Sequence, residues 1–319
     1  MRFLTFDELT PSMEVDRTLL HLASFGGTFP RRSVNLLRRR LKMMPDYAAI
    51  FAVERGRLLG QTYVLRVPYT FPDGTELVTG IAGVGTRPDR RRAGVAKAIL
   101  TEVHRRERED GVRFSTLWTN RSWGAHALYE KLGYRDVYAP SWAVHAPLVR
   151  SPRPRHGARA GRRSDLPELE RLYARRSEGR LGFARRPVGF FSGAAAAGEL
   201  DPGTEVVVRR SGGRLRGYAL LEATRWRVIC GELVADSEAT RQALVSEVER
   251  RARRRPFAFT HTPVTDTPKL FRGNGFSTVS TGWFVLMASS LDGDWSARAA
   301  SSRFATEDPR FLCLSWDRF

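Results

Sequence analysis

The chain has 319 residues, 42% of them hydrophobic and 10% aromatic, which is more apolar material than one ordinary domain needs. It has no apolar run long enough for a membrane-spanning helix, no recognisable signal peptide, and only two cysteines, which lack metal-ligand spacing. A membrane protein, a disulfide-rich secreted domain and a cysteine-bound metal site are therefore not expected, whereas a cytoplasmic location is.

The formal net charge of +19 comes from 53 basic and 34 acidic residues, and all but four of the basic residues are arginine. Clusters such as Arg38–Arg40, Arg105–Arg108 and Arg250–Arg255 are scattered along predicted helices. That distribution is typical of solvated helix faces in a protein from a GC-rich genome. A field of this sign still attracts anionic partners, such as CoA or nucleic acid.

The first half of the chain predicts a strand, two helices, three antiparallel strands and a long helix. These segments are Phe3–Phe6, Pro11–Ala23, Arg31–Met43, Tyr47–Glu54, Leu58–Tyr69, Leu77–Thr86 and Ala93–Glu109. A strand at Phe114–Thr119, a helix that ends at Gly133 and a closing strand within 135–147 follow. The order indicates a mixed sheet with helices packed on it.

The stretch Ile81–Leu100, IAGVGTRPDRRRAGVAKAIL, predicts a phosphate-binding turn. A Gly-spaced apolar strand stops at Pro88, and a helix begins near Ala93. Backbone amides at the start of a helix lack partners, and the small residues Gly94 and Ala96 would let a pyrophosphate reach them. The P-loop and Rossmann fingerprints are both absent from the chain. The alternative is an ordinary strand–turn–helix with a solvated arginine run.

The spacing Arg-x-x-Gly-x-Ala over 91–96, placed after a strand, resembles the acetyl-CoA signature of the GNAT N-acetyltransferases. A second stretch, AHALYEKLGY over 125–134, resembles the other hallmark of that superfamily. Within it, VGTRP over 84–88 followed by three arginines resembles the Eis-like (enhanced intracellular survival) acetyltransferases. The resemblance implies acetyl-CoA as the acyl donor and Tyr129 as the general acid that protonates the CoA thiolate. The residues implied to contact acetyl-CoA are Val84, Gly85, Thr86, Arg91, Arg92, Ala93, Gly94, Val95, Ala96 and Ser122.

The motif strand carries no carboxylate that could act as a general base. In Eis-like enzymes the carboxylate of a C-terminal Phe has that role, and this chain also ends in Phe319 after an apolar tail. The resemblance therefore implies Phe319 as a catalytic residue, presented near Tyr129. A polycationic amine would also need acidic neighbours, for which Asp73, Glu76 and Glu130 are candidates.

The second half repeats the same plan. Its turn over Val234–Thr240 has no glycine, and Asp236 and Glu238 would repel a pyrophosphate, so this copy is expected to be degenerate. The predicted fold class is therefore α/β, an α+β mixed sheet in two tandem GNAT-like domains. The expected boundaries are 1–150 for the catalytic domain, 151–157 for a linker, 158–290 for the degenerate domain and 291–319 for a C-terminal tail that docks on the first domain. No counterpart of the sterol-carrier-like third domain of Eis-like proteins is expected.

The expected activity is N-acetyl transfer from acetyl-CoA to a primary amine of a small molecule, peptide or protein, by direct attack in a ternary complex. A non-catalytic acyl-CoA-binding sensor is the first alternative, since it would keep the turn and not need Tyr129. A basic nucleic-acid-binding protein is the least favoured, because no helix-turn-helix, zinc or RNA-recognition signature is visible. No metal or membrane partner is expected, and the acceptor amine and a homo-oligomeric state are left open.

Overall fold

The computed structural model describes residues 1–27, 29–145, 157–225, 227–252, 257–261, 277–280 and 282–313. They form two units. The first comprises Met1–Tyr138 and Trp283–Thr306, and the second comprises Ala139–Gly282 and continues from Glu307. Within these residues, no helix combines the length and the apolar character needed to cross a membrane.

Strands and helices alternate along both units. The strands are β1 (Arg2–Leu4), β2 (Ala49–Glu54), β3 (Arg57–Phe71), β4 (Gly74–Thr86), β5 (Phe114–Asn120), β6 (Arg135–Tyr138), β7 (Ser141–His145), β8 (Ala158–Ala160), β9 (Leu181–Gly182), β10 (Val206–Ser211), β11 (Arg214–Ala223), β12 (Val228–Ala235), β13 (Phe257–His261), β14 (Ser277–Ser280), β15 (Phe284–Ser290) and β16 (Phe311–Leu312). The helices are α1 (Pro11–Phe25), α2 (Arg31–Leu36), α3 (Val95–Glu109), α4 (Gly124–Lys131), α5 (Leu166–Ser177), α6 (Phe190–Ala197), α7 (Pro202–Glu205), α8 (Glu238–Ala252) and α9 (Ala297–Phe304). The predicted mixed α/β class is confirmed.

In the first unit the strands follow the order β1-β2-β3-β4-β5-β15-β6. Neighbouring strands are antiparallel except β4 and β5, which run parallel. β4 stays paired with β3 as far as Thr86, but its pairing with β5 ends where Ile81 lies opposite Leu117. β4 and β5 therefore part at their carboxyl ends, and residues 82–86 pair with no described strand on the β5 side.

Helices α1 and α3 cover opposite faces of β3 and β4. A Cβ atom added to Gly60 would come within 2.8 Å of the Val95 side chain on α3. A Cβ atom on Gly85 would instead come within 3.1 Å of the Ser24 hydroxyl on α1. The two helices therefore lie on opposite faces of the sheet beside the open edge of β4.

A buried carboxylate ties α3 to the sheet. Glu107 is fully buried and accepts hydrogen bonds from Arg66 at 2.7 Å, from the Thr79 hydroxyl at 2.5 Å, and from the Tyr47 hydroxyl. Burial is the main cause that raises the pKa of Tyr47, so its hydroxyl remains a donor at neutral pH. A buried charge is tolerated only when paired and hydrogen-bonded, as this one is.

The segment after β15 packs in the first unit as far as Thr306. The Tyr69 hydroxyl donates to the Phe304 carbonyl at 2.5 Å, and the Thr306 hydroxyl donates to the Val137 carbonyl at 2.7 Å. The Phe304 ring is fully buried, 4.7 Å from the Tyr69 ring centroid. Part of the predicted C-terminal tail thus belongs to the first unit, whereas β16 pairs in parallel with β9 in the second unit.

The second unit repeats the same kind of sheet. Its strands follow the order β14-β7-β13-β12-β11-β10-β8, with β12 and β13 parallel. Its core holds a second buried ion pair, in which Arg186 donates to the fully buried Glu232 carboxylate at 2.8 Å. The guanidinium of Arg186 also lies 4.2 Å from the Tyr173 ring centroid, so its charge is stabilised from two sides.

The closing strands of the two sheets differ from the predicted assignment. The strand within 135–147 was expected to close the first sheet, but its second part, β7, lies in the second sheet between β13 and β14. The second domain was expected to extend to residue 290, but β15 lies in the first sheet between β5 and β6. The expected boundaries at 150 and 290 therefore differ from the structure, because an apolar strand sequence does not identify the sheet that it joins.

Candidate active site

The turn between β4 and α3 has a backbone that keeps side chains away from its amides. Arg92 and Gly94 both adopt left-handed conformations, with φ of 63° and 77°. Gly94 precedes the first helical residue, Val95, and offers no side-chain cap. A Cβ atom on Gly94 would meet nothing within 4 Å, so this end of the helix is open.

The first amides of α3 form no hydrogen bond to any residue that the structure describes. Ala98 is the first residue whose amide bonds to a helical acceptor, the Gly94 carbonyl at 3.0 Å. The amides that donate to no described residue are those of Arg92, Gly94, Val95, Ala96 and Lys97. Because α3 has 15 residues, its dipole adds partial positive charge at this point. The turn has the donors and the charge that an anion such as a pyrophosphate requires.

The corresponding turn of the second unit is closed by its own side chains. The Ser237 hydroxyl accepts a hydrogen bond from the Thr240 amide at 3.3 Å, and the Thr240 hydroxyl donates to Asp236 at 3.1 Å. A carboxylate therefore lies where an anionic ligand would have to bind. This arrangement agrees with the predicted degeneracy of the second copy.

The arginines around the first turn divide into two groups. Arg87 is paired with Asp89 at 2.8 Å, and Arg90 is paired with Glu54 at 3.4 Å. Arg91 and Arg92 are exposed, and neither forms an ion pair with a described residue. These two side chains therefore remain available for charge contacts with a ligand on the turn.

The end of β4 that precedes the turn carries a β-bulge. Gln61 lies opposite Gly85 and Tyr63 lies opposite Ala82, so that two residues of β4 face one residue of β3. Gly83, inside the bulge, has a φ of 60°. Bulges re-aim the backbone and end regular pairing. Here the bulge lies where β4 leaves β5, within the segment that contains Val84, Gly85 and Thr86.

Tyr129 lies on α4 and is 7% exposed. Burial raises its pKa to about 12, so the hydroxyl is protonated at neutral pH. The hydroxyl donates to no described residue, and the ring packs edge-on against Tyr134 at 5.9 Å between centroids. Ser122 is exposed, and its amide and hydroxyl both donate to the side-chain oxygen of Asn120, at 2.9 and 2.8 Å. Its hydroxyl is thus already engaged locally.

The structure brings the predicted cofactor-binding residues, apart from Ser122, onto one continuous strand and turn. Phe319 lies outside the described residues, and its role stays a prediction. Of the acidic residues considered for a polycationic amine, Asp73 and Glu76 are neutralised by Arg303, at 2.8 and 2.7 Å. Glu130 lies 3.6 Å from His126. These contacts leave Asp73 and Glu76 little capacity to attract a further cation.

The sequence analysis missed a histidine on the opposite face of β4. The His21 side chain, on α1, is half-buried, and Nδ1 lies 2.9 Å from the Gly27 carbonyl oxygen. Its Nε2 lies 3.9 Å from where a Cβ atom on Gly83 would be. Nothing in the sequence around His21 distinguishes α1 from an ordinary amphipathic helix. The proximity of His21 to Gly83 becomes visible only in the folded chain, where α1 packs over the bulge.

Comparison with known proteins identifies the fold. Residues 7–137 match the family model of an acetyltransferase (GNAT) domain. No curated protein sequence matches the chain. The solved structures described next share 20% sequence identity or less with the chain, so their likeness concerns the fold alone.

Three solved structures resemble the chain over nearly its whole length. A GCN5-related N-acetyltransferase from Kribbella flavida has 20% identity and a TM-score of 0.64, and the match covers 91% of this chain and 71% of that one. Eis1 from Mycobacterium abscessus has 15% identity and a TM-score of 0.58, with 92% and 74% covered. A tandem GNAT protein from the clavulanic acid biosynthesis pathway has 14% identity and a TM-score of 0.54, with 92% and 99% covered.

Proposed function

Because residues 7–137 match the model of a GNAT acetyltransferase domain, we propose that the first unit is an N-acetyltransferase that moves acetyl from acetyl-CoA to a primary amine. The observation that carries the proposal is the row of amides at the start of α3 that no described residue accepts from. These amides come one short turn after the segment of β4 that no longer pairs with β5. A donor bound there would have its pyrophosphate on the turn and its acyl end along the open edge of β4.

The proposed binding roles follow the chain. The backbone of Val84, Gly85 and Thr86 would meet the pantetheine arm and the acetyl carbonyl. The turn residues would hold the pyrophosphate, mainly through amides and also through the two arginines that lack ion pairs among the described residues. Those turn residues are Arg91, Arg92, Ala93, Gly94, Val95 and Ala96. Hydrogen bonds to a charged acceptor contribute about 1.5–3 kcal/mol each, so three or four approach the about 8 kcal/mol of micromolar binding.

In the proposed reaction the amine nitrogen attacks the thioester carbonyl carbon while both substrates are bound. The N–C bond forms, the C–S bond breaks, and the electron pair of that bond leaves on the CoA sulfur. The Tyr129 hydroxyl would give its proton to the thiolate, a role that suits a phenol kept protonated by burial. The nitrogen loses a proton to a base, and the tyrosine recovers one from solvent.

The test is an amine panel assayed by release of the CoA thiol from acetyl-CoA, combined with calorimetric titration of CoA. Micromolar CoA binding together with amine-dependent thiol release supports the proposal. CoA binding with no turnover on any amine would favour an acyl-CoA sensor instead. The cytoplasm is the location that we propose for this activity, since acetyl-CoA is an intracellular donor and the chain has only two cysteines.

A further inference from the structure

The amine must lose a proton, and the surroundings of β4 hold a group able to take it. The imidazole of His21 is held between aromatic rings, with centroid distances of 4.9 Å to Phe25, 6.5 Å to Phe29 and 5.8 Å to Tyr63. Phe25 is about half exposed, so the ring cluster reaches solvent. The imidazole therefore has a fixed orientation at a position that a small molecule can approach.

The hydrogen bond at Nδ1 determines which nitrogen is basic. The partner of Nδ1 is the Gly27 carbonyl oxygen at 2.9 Å, and a carbonyl oxygen only accepts. Nδ1 must therefore carry the hydrogen, and in the neutral ring Nε2 carries the lone pair. No described residue forms a hydrogen bond with Nε2. It is thus a proton acceptor that the fold itself does not use.

Nε2 is directed toward the bulge of β4. It lies 3.9 Å from the position that a Cβ atom on Gly83 would take, and the Tyr63 ring lies 2.7 Å from the same position, so Nε2 and that ring share the space over Gly83. Gly83 belongs to the open edge of β4, which begins after Ile81, and immediately precedes Val84. α1 covers the face of β4 opposite to α3, so an amine approaching from the α1 side would meet Nε2 as it reaches the acyl group.

We propose that His21 is the general base of the acetyl transfer, an assignment that rests on the proposed function. As the nitrogen bonds to the acyl carbon, its proton passes to Nε2 of His21, and the CoA thiolate takes a proton from Tyr129. The imidazolium then returns its proton to solvent, and the phenolate takes one from solvent. The net reaction consumes acetyl-CoA and the amine and yields the amide and CoA, with no other reactant.

The test compares thiol release in the wild type, in His21→Asn and in a chain that lacks Phe319, using the best acceptor of the amine panel. The side-chain amide of Asn can replace Nδ1 as the donor to the Gly27 carbonyl, while no basic atom remains near Gly83. We expect kcat to fall about 10²- to 10⁴-fold in His21→Asn, with an unchanged Kd for CoA. The chain that lacks Phe319 tests the base implied by the resemblance, and turnover lost there alone would assign the proton to the C-terminal carboxylate instead.

The wild-type pH profile decides the question even if His21→Asn folds poorly. After correction for the ionisation of the amine, kcat/KM should depend on one group that must be unprotonated, because a general base accepts a proton only in that form. Arg17 on α1 and Tyr63 on β3 are the other titratable side chains around the imidazole, and Arg17 donates to the Tyr63 hydroxyl at 2.9 Å. Neither supplies such a group, because arginine stays charged and burial raises the pKa of Tyr63.

Three results would overturn the assignment. They are a wild-type profile without such a group, a His21→Asn variant with the full wild-type kcat, and loss of turnover on removal of Phe319 alone. A wild-type chain that binds CoA but acetylates no amine would remove the proposed function itself, and this assignment with it. Failure of the wild-type chain to acetylate any amine is distinguished from the other three results because it is observed before any variant is made.

Discussion

The open turn before α3 can be closed by one substitution, Gly94→Asp. The residue has a φ of 77°, which Asp tolerates better than most side chains, and its Cβ would enter open space. The new carboxylate would lie at the start of α3, where the helix dipole favours it by about 0.3–1 kcal/mol. That gain offsets most of the backbone strain, so the free energy of unfolding should change by less than about 1 kcal/mol.

The effect on CoA binding should be much larger. A carboxylate about 5 Å from a phosphate charge repels it by about 1–3 kcal/mol for effective dielectric constants between those of water and a protein surface. It also competes for amides that are worth about 1.5–3 kcal/mol each to a charged ligand. The sum is about 3–5 kcal/mol, which raises the Kd for CoA about 10²- to 10⁴-fold.

Isothermal titration with CoA at constant salt measures this change, and two variants serve as controls. Gly94→Asn has nearly the same size and the same backbone requirement without the charge, so its Kd should rise far less. Gly111→Asp places an equal charge on a glycine with φ of 79° and open space beyond the other end of α3, where it should leave the Kd unchanged. Wild-type affinity in Gly94→Asp would refute the assignment of the pyrophosphate to this turn.

Three further predictions test the site and the core. Tyr129→Phe should lower kcat at least about 10²-fold with an unchanged Kd for CoA, and thiol release at the wild-type rate would exclude it as the acid. Glu107→Gln should lower the free energy of unfolding in urea by about 3 kcal/mol, because Arg66 loses its buried counter-charge, whereas Glu109→Gln on the exposed side of α3 should cost less than about 1 kcal/mol. Burial is the main cause that lowers the pKa of His104 to about 4 in the folded chain, so the unfolded chain binds the extra proton first as the pH falls. This difference contributes up to about 3 kcal/mol to the free energy of unfolding at neutral pH, and that contribution should be lost between about pH 6.5 and about pH 4. His104→Gln should flatten that acid limb, and an unchanged limb would contradict the assignment.

The open turn before α3 could be predicted from the sequence because its determinants are local. Pro88 stops a strand, Gly94 permits the left-handed backbone, and α3 begins within a few residues of both. A turn whose properties depend on consecutive residues can be recognised from the local sequence. The same is true of the contrasting turn in the second unit, where Asp236 and Ser237 are neighbours in the sequence and together close it.

The missed features depend on contacts between residues far apart in the chain. His21 lies close to Gly83 only in the folded chain, and neither residue indicates the other in the sequence. The exchange of β7 and β15 between the sheets is also non-local, since both strands have ordinary apolar sequences. A pattern of burial predicts that a strand exists, but the partner is chosen by the whole packing arrangement.

The exchange of the closing strands makes the two halves of the chain interdependent. A fragment that stops before residue 283 would leave one edge of β5 bare and β6 without its neighbour, exposing backbone groups that β15 covers. The two halves of the chain are therefore not modules that could be exchanged one at a time between genes. A lesion in the gene that prevents translation past β14 therefore also removes the strand between β5 and β6 from the first sheet.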